Sequence, residues 1–114
     1  MSWLFYEACP IRDVPEGTKR KVMVEGYPVA IYNVGGTLHA SGDPCPHERV
    51  SLADGGCLTG EIITCGAHRW AFNVRTGECL DDPGFPLTRF PVGRKDGKIF
   101  VGFWSGEGEP TPMT

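Results

Sequence analysis

The sequence predicts an all-β chain, and three observations carry that prediction. Sixteen glycines and ten prolines divide its 114 residues into short segments. Several of those segments are rich in the β-branched and aromatic residues that suit a pleated, half-buried surface. No segment of helical length repeats its apolar residues every 3.6 positions, and the stretch from Ile11 to Glu16 has room for a turn only.

Strands are expected, in order, at Trp3 to Glu7, Lys21 to Glu25, Val29 to Val34, Thr37 to Ala40, Glu61 to Thr64, Ala71 to Asn73, Leu87 to Val92 and Lys98 to Phe103. Gly35-Gly36 and Asp96-Gly97 each sit between apolar runs and read as two-residue hairpin turns, because glycine accepts the positive φ those turns require. Thr76-Gly77 is expected to make a third. The last ten residues, 105–114, hold Gly, Glu, Pro and Thr with one Met. They can bury little apolar surface to offset their ordering entropy and are expected to form a frayed tail.

A chain of this length supports one domain, 1–104, and not two. Eleven basic against fourteen acidic residues leave it mildly acidic, which offers a phosphate backbone no attraction and argues against nucleic acid as a partner. No apolar run approaches the ~20 residues that span a bilayer, and Met1-Ser2-Trp3-Leu4-Phe5 lacks the basic start of a signal peptide. The expectation is a cytoplasmic protein without a membrane partner. Five cysteines are an odd set for a disulfide framework and point to thiols or metal ligands.

Four of those cysteines and two of the three histidines fall between Ser41 and Asp82, in a region that reads as loops around short strands. Two groups stand out there: Cys45-Pro46-His47 and, after seventeen intervening residues, Cys65-Gly66-Ala67-His68. Each pairs a thiolate with an imidazole at a spacing that lets one tight loop aim both inward. Zinc and a binuclear iron-sulfur cluster are the two occupants of such a donor set. Zinc fingers group like ligands together, whereas here each loop supplies one of each type. That mixed order suits a cluster with both cysteines on one iron and both histidines on the other.

With these loops, the chain resembles the Rieske family, whose pattern is Cys-x-His, a comparable spacer, then Cys-x-x-His. Gly55-Gly56, Gly60 to Thr64, Phe72-Asn73 with Arg75-Thr76-Gly77, and the closing Phe90-Pro91-Val92 with Asp96 to Val101 extend the resemblance to Rieske ferredoxins nearly as far as Phe103. It implies an antiparallel β-sandwich base with a small cluster-binding subdomain at about 43–83. It also implies one 2Fe-2S cluster held by Cys45, His47, Cys65 and His68. A zinc-stabilised interaction module is the remote alternative. Cys9, Cys57 and Cys79 read as small buried hydrophobes, His39 as a strand-surface residue, and Lys19-Arg20-Lys21 as a solvated strand end.

The respiratory members of the family carry a disulfide between the ligand loops and hydroxyl donors beyond the second histidine. Here those positions hold Val50 and Ala67, then Trp70 and Phe72. A low potential, on the order of −150 mV, is therefore expected. A catalytic oxygenase subunit needs two further histidines for mononuclear iron, and only His39 remains, so an electron carrier is expected and not an enzyme. Cys45-Pro46-His47 and Ala67 to Asn73 look most like ferredoxins of multicomponent toluene and alkene monooxygenases, which serve di-iron hydroxylases. Ferredoxins of aromatic ring-hydroxylating dioxygenases are the alternative. The implied partners are an NADH-dependent flavin reductase as donor and the oxygenase as acceptor, with a monomeric carrier docking through Pro46, Glu48, Arg49, Trp70 and Phe85. Trp70 reads equally as a partner-facing aromatic or as a residue packed over the cluster loop.

Overall fold

The computed structural model describes residues 2–47, 49–67 and 69–105. Among them the strands are β1 (Ser2–Pro10), β2 (Lys19–Val24), β3 (Tyr27–Val34), β4 (Thr37–Gly42), β5 (Cys57–Thr59), β6 (Ile62–Thr64), β7 (Ala71–Asn73), β8 (Arg89–Phe90), β9 (Val92–Lys95) and β10 (Lys98–Ser105). A one-turn helix, α1 (Leu52–Gly55), is the only α-helix among the described residues. The strands form three antiparallel sheets, ordered β1-β10-β9, β2-β3-β4-β8 and β5-β6-β7. The expected all-β architecture is present, and residues 105–114 fall almost wholly outside the described residues.

The four-stranded sheet is covered on both faces. Val29 and Ile31 of β3 point into one core with Val14, Val24, Ala40, Ile99 and Val101. Ala30 and Tyr32 point into the other, with Leu52, Ile63, Phe72, Val74 and Leu87. This explains why residues 29–33 are buried without alternation, as expected of a strand with two dry faces. It also overturns the reading of His39. His39 lies opposite Tyr32 and is 9% exposed, because the face it was expected to show to water is covered by the second core.

Turn chemistry sets the hairpins. Gly35-Gly36 and Asp96-Gly97 have both residues at positive φ, as the sequence predicts, and Glu25-Gly26 makes a further turn of the same kind between β2 and β3. Thr76-Gly77 does not make a two-residue turn. Asn73 N–H donates to Glu78 O (2.8 Å) and Gly77 N–H to Asn73 O (2.7 Å). Asn73 Oδ1 accepts from the N–H groups of Arg75 and Thr76, so the Asn73 side chain builds a four-residue loop, 74–77. The expected strand from Leu87 to Val92 divides at Pro91, which has no N–H for the ladder; β8 pairs with β4 and β9 with β10. Cys57 is exposed rather than buried, since β5 is an edge strand, whereas Cys9 and Cys79 are buried as expected. No helix among the described residues is long and apolar enough to cross a membrane.

Candidate cluster-binding site

The two cysteine-histidine segments adopt the same turn. In the first, Cys45 N–H donates to Val50 O (2.8 Å) and Arg49 N–H to Cys45 O (2.7 Å). In the second, Cys65 N–H donates to Trp70 O (2.7 Å) and Arg69 N–H to Cys65 O (3.0 Å). Each loop is six residues long, starts on a cysteine and has an arginine at its fifth position. Both arginines occupy the left-handed region, Arg49 at φ 60° and Arg69 at φ 59°. With the loops superposed in this sense, His47 is the third residue of its turn and His68 the fourth of the other.

What supports each loop differs. The second is the end of the β6-β7 hairpin, continuing its ladder past the Thr64-Ala71 pair. The first has no hairpin beneath it. It is closed by a Pro44-Ser51 bridge, by Leu52 N–H donating to Asp43 O (2.9 Å), and by Ala53 N–H donating to Asp43 Oδ1 (3.0 Å). Asp43 is 2% exposed, and its carboxylate anchors the start of α1, which Ser51 caps by accepting from Asp54 N–H. The second loop meets the end of α1 where Gly66 lies against the Gly55 carbonyl, so closely that a Cβ there would collide with its oxygen.

Cys45 and Cys65 are both fully buried and belong to the same core cluster. His47 is half-buried and lies flat against Trp70, with ring centroids 3.8 Å apart and planes 7° from parallel. Phe85 closes the group edge-on, 5.8 Å from His47 and 5.4 Å from Trp70. The Phe85 loop is pinned by Asp82, whose carboxylate accepts from Gly84 N–H and whose carbonyl accepts from Phe85 N–H. Asp81 Oδ2 accepts from Ala71 N–H (2.7 Å) and ties the same segment to β7. Trp70 is thus packed over the first loop while still partly open to solvent. Pro46 is half-buried and Arg49 exposed. His68 and Glu48 lie outside the described residues.

Among the described residues, no group of three His, Cys, Asp or Glu side chains is gathered as a metal site; the cluster reading rests on the paired loops. They fit a 2Fe-2S group: two buried sulfur donors at equivalent turn positions, each followed by a histidine of the same loop. Elsewhere, Tyr32 O–H lies 3.0 Å from Ser41 Oγ on the core side of the first loop, and burial pushes its phenol well up. Asp43, Arg69 and Gly66 are the contributors that sequence reasoning missed. A carboxylate between glycine and proline gives no sign of burial, and an arginine gives no sign of a left-handed backbone.

The comparisons agree with this geometry. Residues 4–91 match the family described as Rieske [2Fe-2S] domain. The biphenyl dioxygenase ferredoxin subunit of Pseudomonas sp. strain KKS102 is 36% identical over 100 residues, covering 87% of this chain and 92% of that protein. The 3-phenylpropionate/cinnamic acid dioxygenase ferredoxin subunit of Escherichia coli K12 is 38% identical over 95 residues, covering 82% and 89%. A solved complex of reduced oxygenase and oxidized ferredoxin in carbazole 1,9a-dioxygenase contains a chain 38% identical to this one, with a TM-score of 0.77 and coverage of 85% of this chain and 91% of that one. The chain therefore belongs to the Rieske [2Fe-2S] family and carries a Rieske-type 2Fe-2S cluster.

Proposed function

We propose that this protein is the cytoplasmic ferredoxin of an aromatic ring-hydroxylating dioxygenase system, taking electrons one at a time from an NADH-dependent flavin reductase and passing them to the terminal oxygenase. The observation that carries this reading is the near-complete overlap with dioxygenase ferredoxin subunits, 92% of the biphenyl protein's length. Those relatives favour the dioxygenase over the di-iron monooxygenase suggested by Pro46 and Trp70. We assign Cys45, His47, Cys65 and His68 as the cluster ligands, on a subdomain of about 43–83.

When bound, the cluster supplies a one-electron couple. The chain's part would be to hold it and keep water from the two cysteine donors. Cys45 and Cys65 sit in a core with Leu52, Ile63 and Phe72, so that edge is dry. His47 lies at the half-open edge, its ring plane fixed by Trp70 and its rim by Phe85, and would give electrons a short exit near the surface once the cluster is bound. We assign Pro46, Arg49, Trp70 and Phe85 to the docking face around that exit, and Glu48 to the same face from its place in the sequence beside His47.

Reconstitution tests the reading. NADH, a flavin reductase and the biphenyl dioxygenase terminal oxygenase should turn over biphenyl only when this protein is added in its iron-loaded form. The same chain supporting a di-iron hydroxylase and no ring-hydroxylating oxygenase would return the assignment to the monooxygenase class.

A further inference from the structure

The two arginines at the fifth positions of the loops are the least economical feature of the site. A left-handed backbone is sterically costly for any residue with a Cβ and free for glycine. Both loops nevertheless place arginine there, Arg49 at φ 60° and Arg69 at φ 59°. Both residues are exposed, and among the described residues neither guanidinium takes part in a hydrogen bond or ion pair. Their position is specific: Arg49 is two residues beyond His47, and Arg69 precedes Trp70, the ring stacked on that histidine.

Charge elsewhere sharpens the contrast. The chain carries a formal net charge of −3. The carboxylates on the Phe85 segment each accept from a backbone donor at the surface, Asp81 from Ala71 N–H and Asp82 from Gly84 N–H. Exposed apolar groups belong to the same segments: Val50, next to Arg49 in the chain, is 39% exposed, and Phe85, whose ring packs against Trp70 next to Arg69, is 38% exposed. Arginine together with exposed apolar groups is the composition of a protein-docking patch.

We propose that Arg49 and Arg69 form a basic collar around the electron exit that docks a carboxylate-lined surface of the acceptor protein. This rests on the ferredoxin reading above and adds the chemistry of the partner's face. Rim charges act chiefly on encounter rate and salt dependence, so the collar should speed association with acidic acceptors without holding the fold together.

The test uses the iron-loaded protein, reduced with dithionite, and two haem proteins of opposite surface charge as probes: acidic cytochrome b5 and basic cytochrome c. In each reaction one electron leaves the carrier for the acceptor haem, and the carrier returns to its oxidised form. For the Arg49→Gly, Arg69→Gly double variant, the bimolecular rate with cytochrome b5 at low salt should fall by roughly ten-fold, and the rate with cytochrome c should rise. The Arg49→Lys, Arg69→Lys variant should retain most of the cytochrome b5 rate. The melting temperature of the glycine variant should hold or rise, because glycine relieves the left-handed backbone. Equal rates for the wild type and the glycine variant with both probes would overturn the proposal and leave the electron carrier intact. A lower melting temperature accompanied by a slower rate with both probes would make the arginines structural and also overturn it. A wild-type protein that reduces neither haem would overturn the carrier reading and the collar with it.

Discussion

The two ligand loops are the same turn built on different foundations. The loop from Cys65 to Trp70 extends a hairpin, so its conformation follows from the backbone ladder beneath it. The loop from Cys45 to Val50 begins where β4 has ended and relies on the buried Asp43 carboxylate and the one-turn helix. One loop is therefore sensitive to space and the other to a side-chain hydrogen bond. Substitutions in the two should fail for different reasons, which makes the contrast measurable.

The largest effect is expected where the second loop touches α1. Gly66→Ala drives a methyl against the Gly55 carbonyl, which is backbone and has no rotamer to yield, so the second loop and α1 must separate. A loss on the order of 3 kcal/mol in thermal or denaturant stability is expected, together with poor iron retention. Full stability in that variant would break the claim that the second loop is wedged against α1. Next comes Asp43. Asp43→Ala leaves the buried Ala53 N–H without its acceptor, at about 1–3 kcal/mol, whereas Asp43→Asn keeps an oxygen in place and should cost less. If both cost the same, the first loop depends on the negative charge and not on the bond.

Trp70 links the two halves of the comparison, since it closes the second loop and stacks on the histidine of the first. Trp70→Ala should cost about 1 kcal/mol in ring interaction beyond its lost burial and broaden the EPR line of the reduced protein as His47 gains freedom. Trp70→Phe should restore most of the line shape. The smallest effect belongs to His39, away from both loops. Burial, reinforced by Arg89 and Arg75, holds its imidazole below the ordinary histidine range. The unfolded chain therefore takes up the proton first. The stability this represents is complete above about pH 6.5 and is lost as the pH falls through His39's folded value. Melting curves at pH 7.5 and 5.5 should show a smaller acid loss for His39→Gln than for the wild type.

The same contrast decides what could be read in the sequence. Cys45 and Cys65 announced themselves because ligand spacing is local, and Asp96-Gly97 did so because turn chemistry is local. Proline inside the expected strand from Leu87 to Val92 carried the signal for its division, and Asn73 carried the signal for the loop that Thr76-Gly77 was expected to close alone. His39, Asp43 and Cys57 were not legible. Their burial is set by which sheet covers which face, a property of packing between segments far apart in the chain. The left-handed arginines were hidden for the opposite reason: the backbone follows the loop's hydrogen bonds and not the residue's own preference.

The most direct test of the central claim is an EPR-monitored redox titration of the purified, iron-loaded protein with metal and acid-labile sulfide analysis. The account predicts two irons and two sulfides per chain, a rhombic signal with the low average g of histidine-ligated clusters, and a potential on the order of −150 mV. A colourless protein with one zinc and no reducible signal would contradict it.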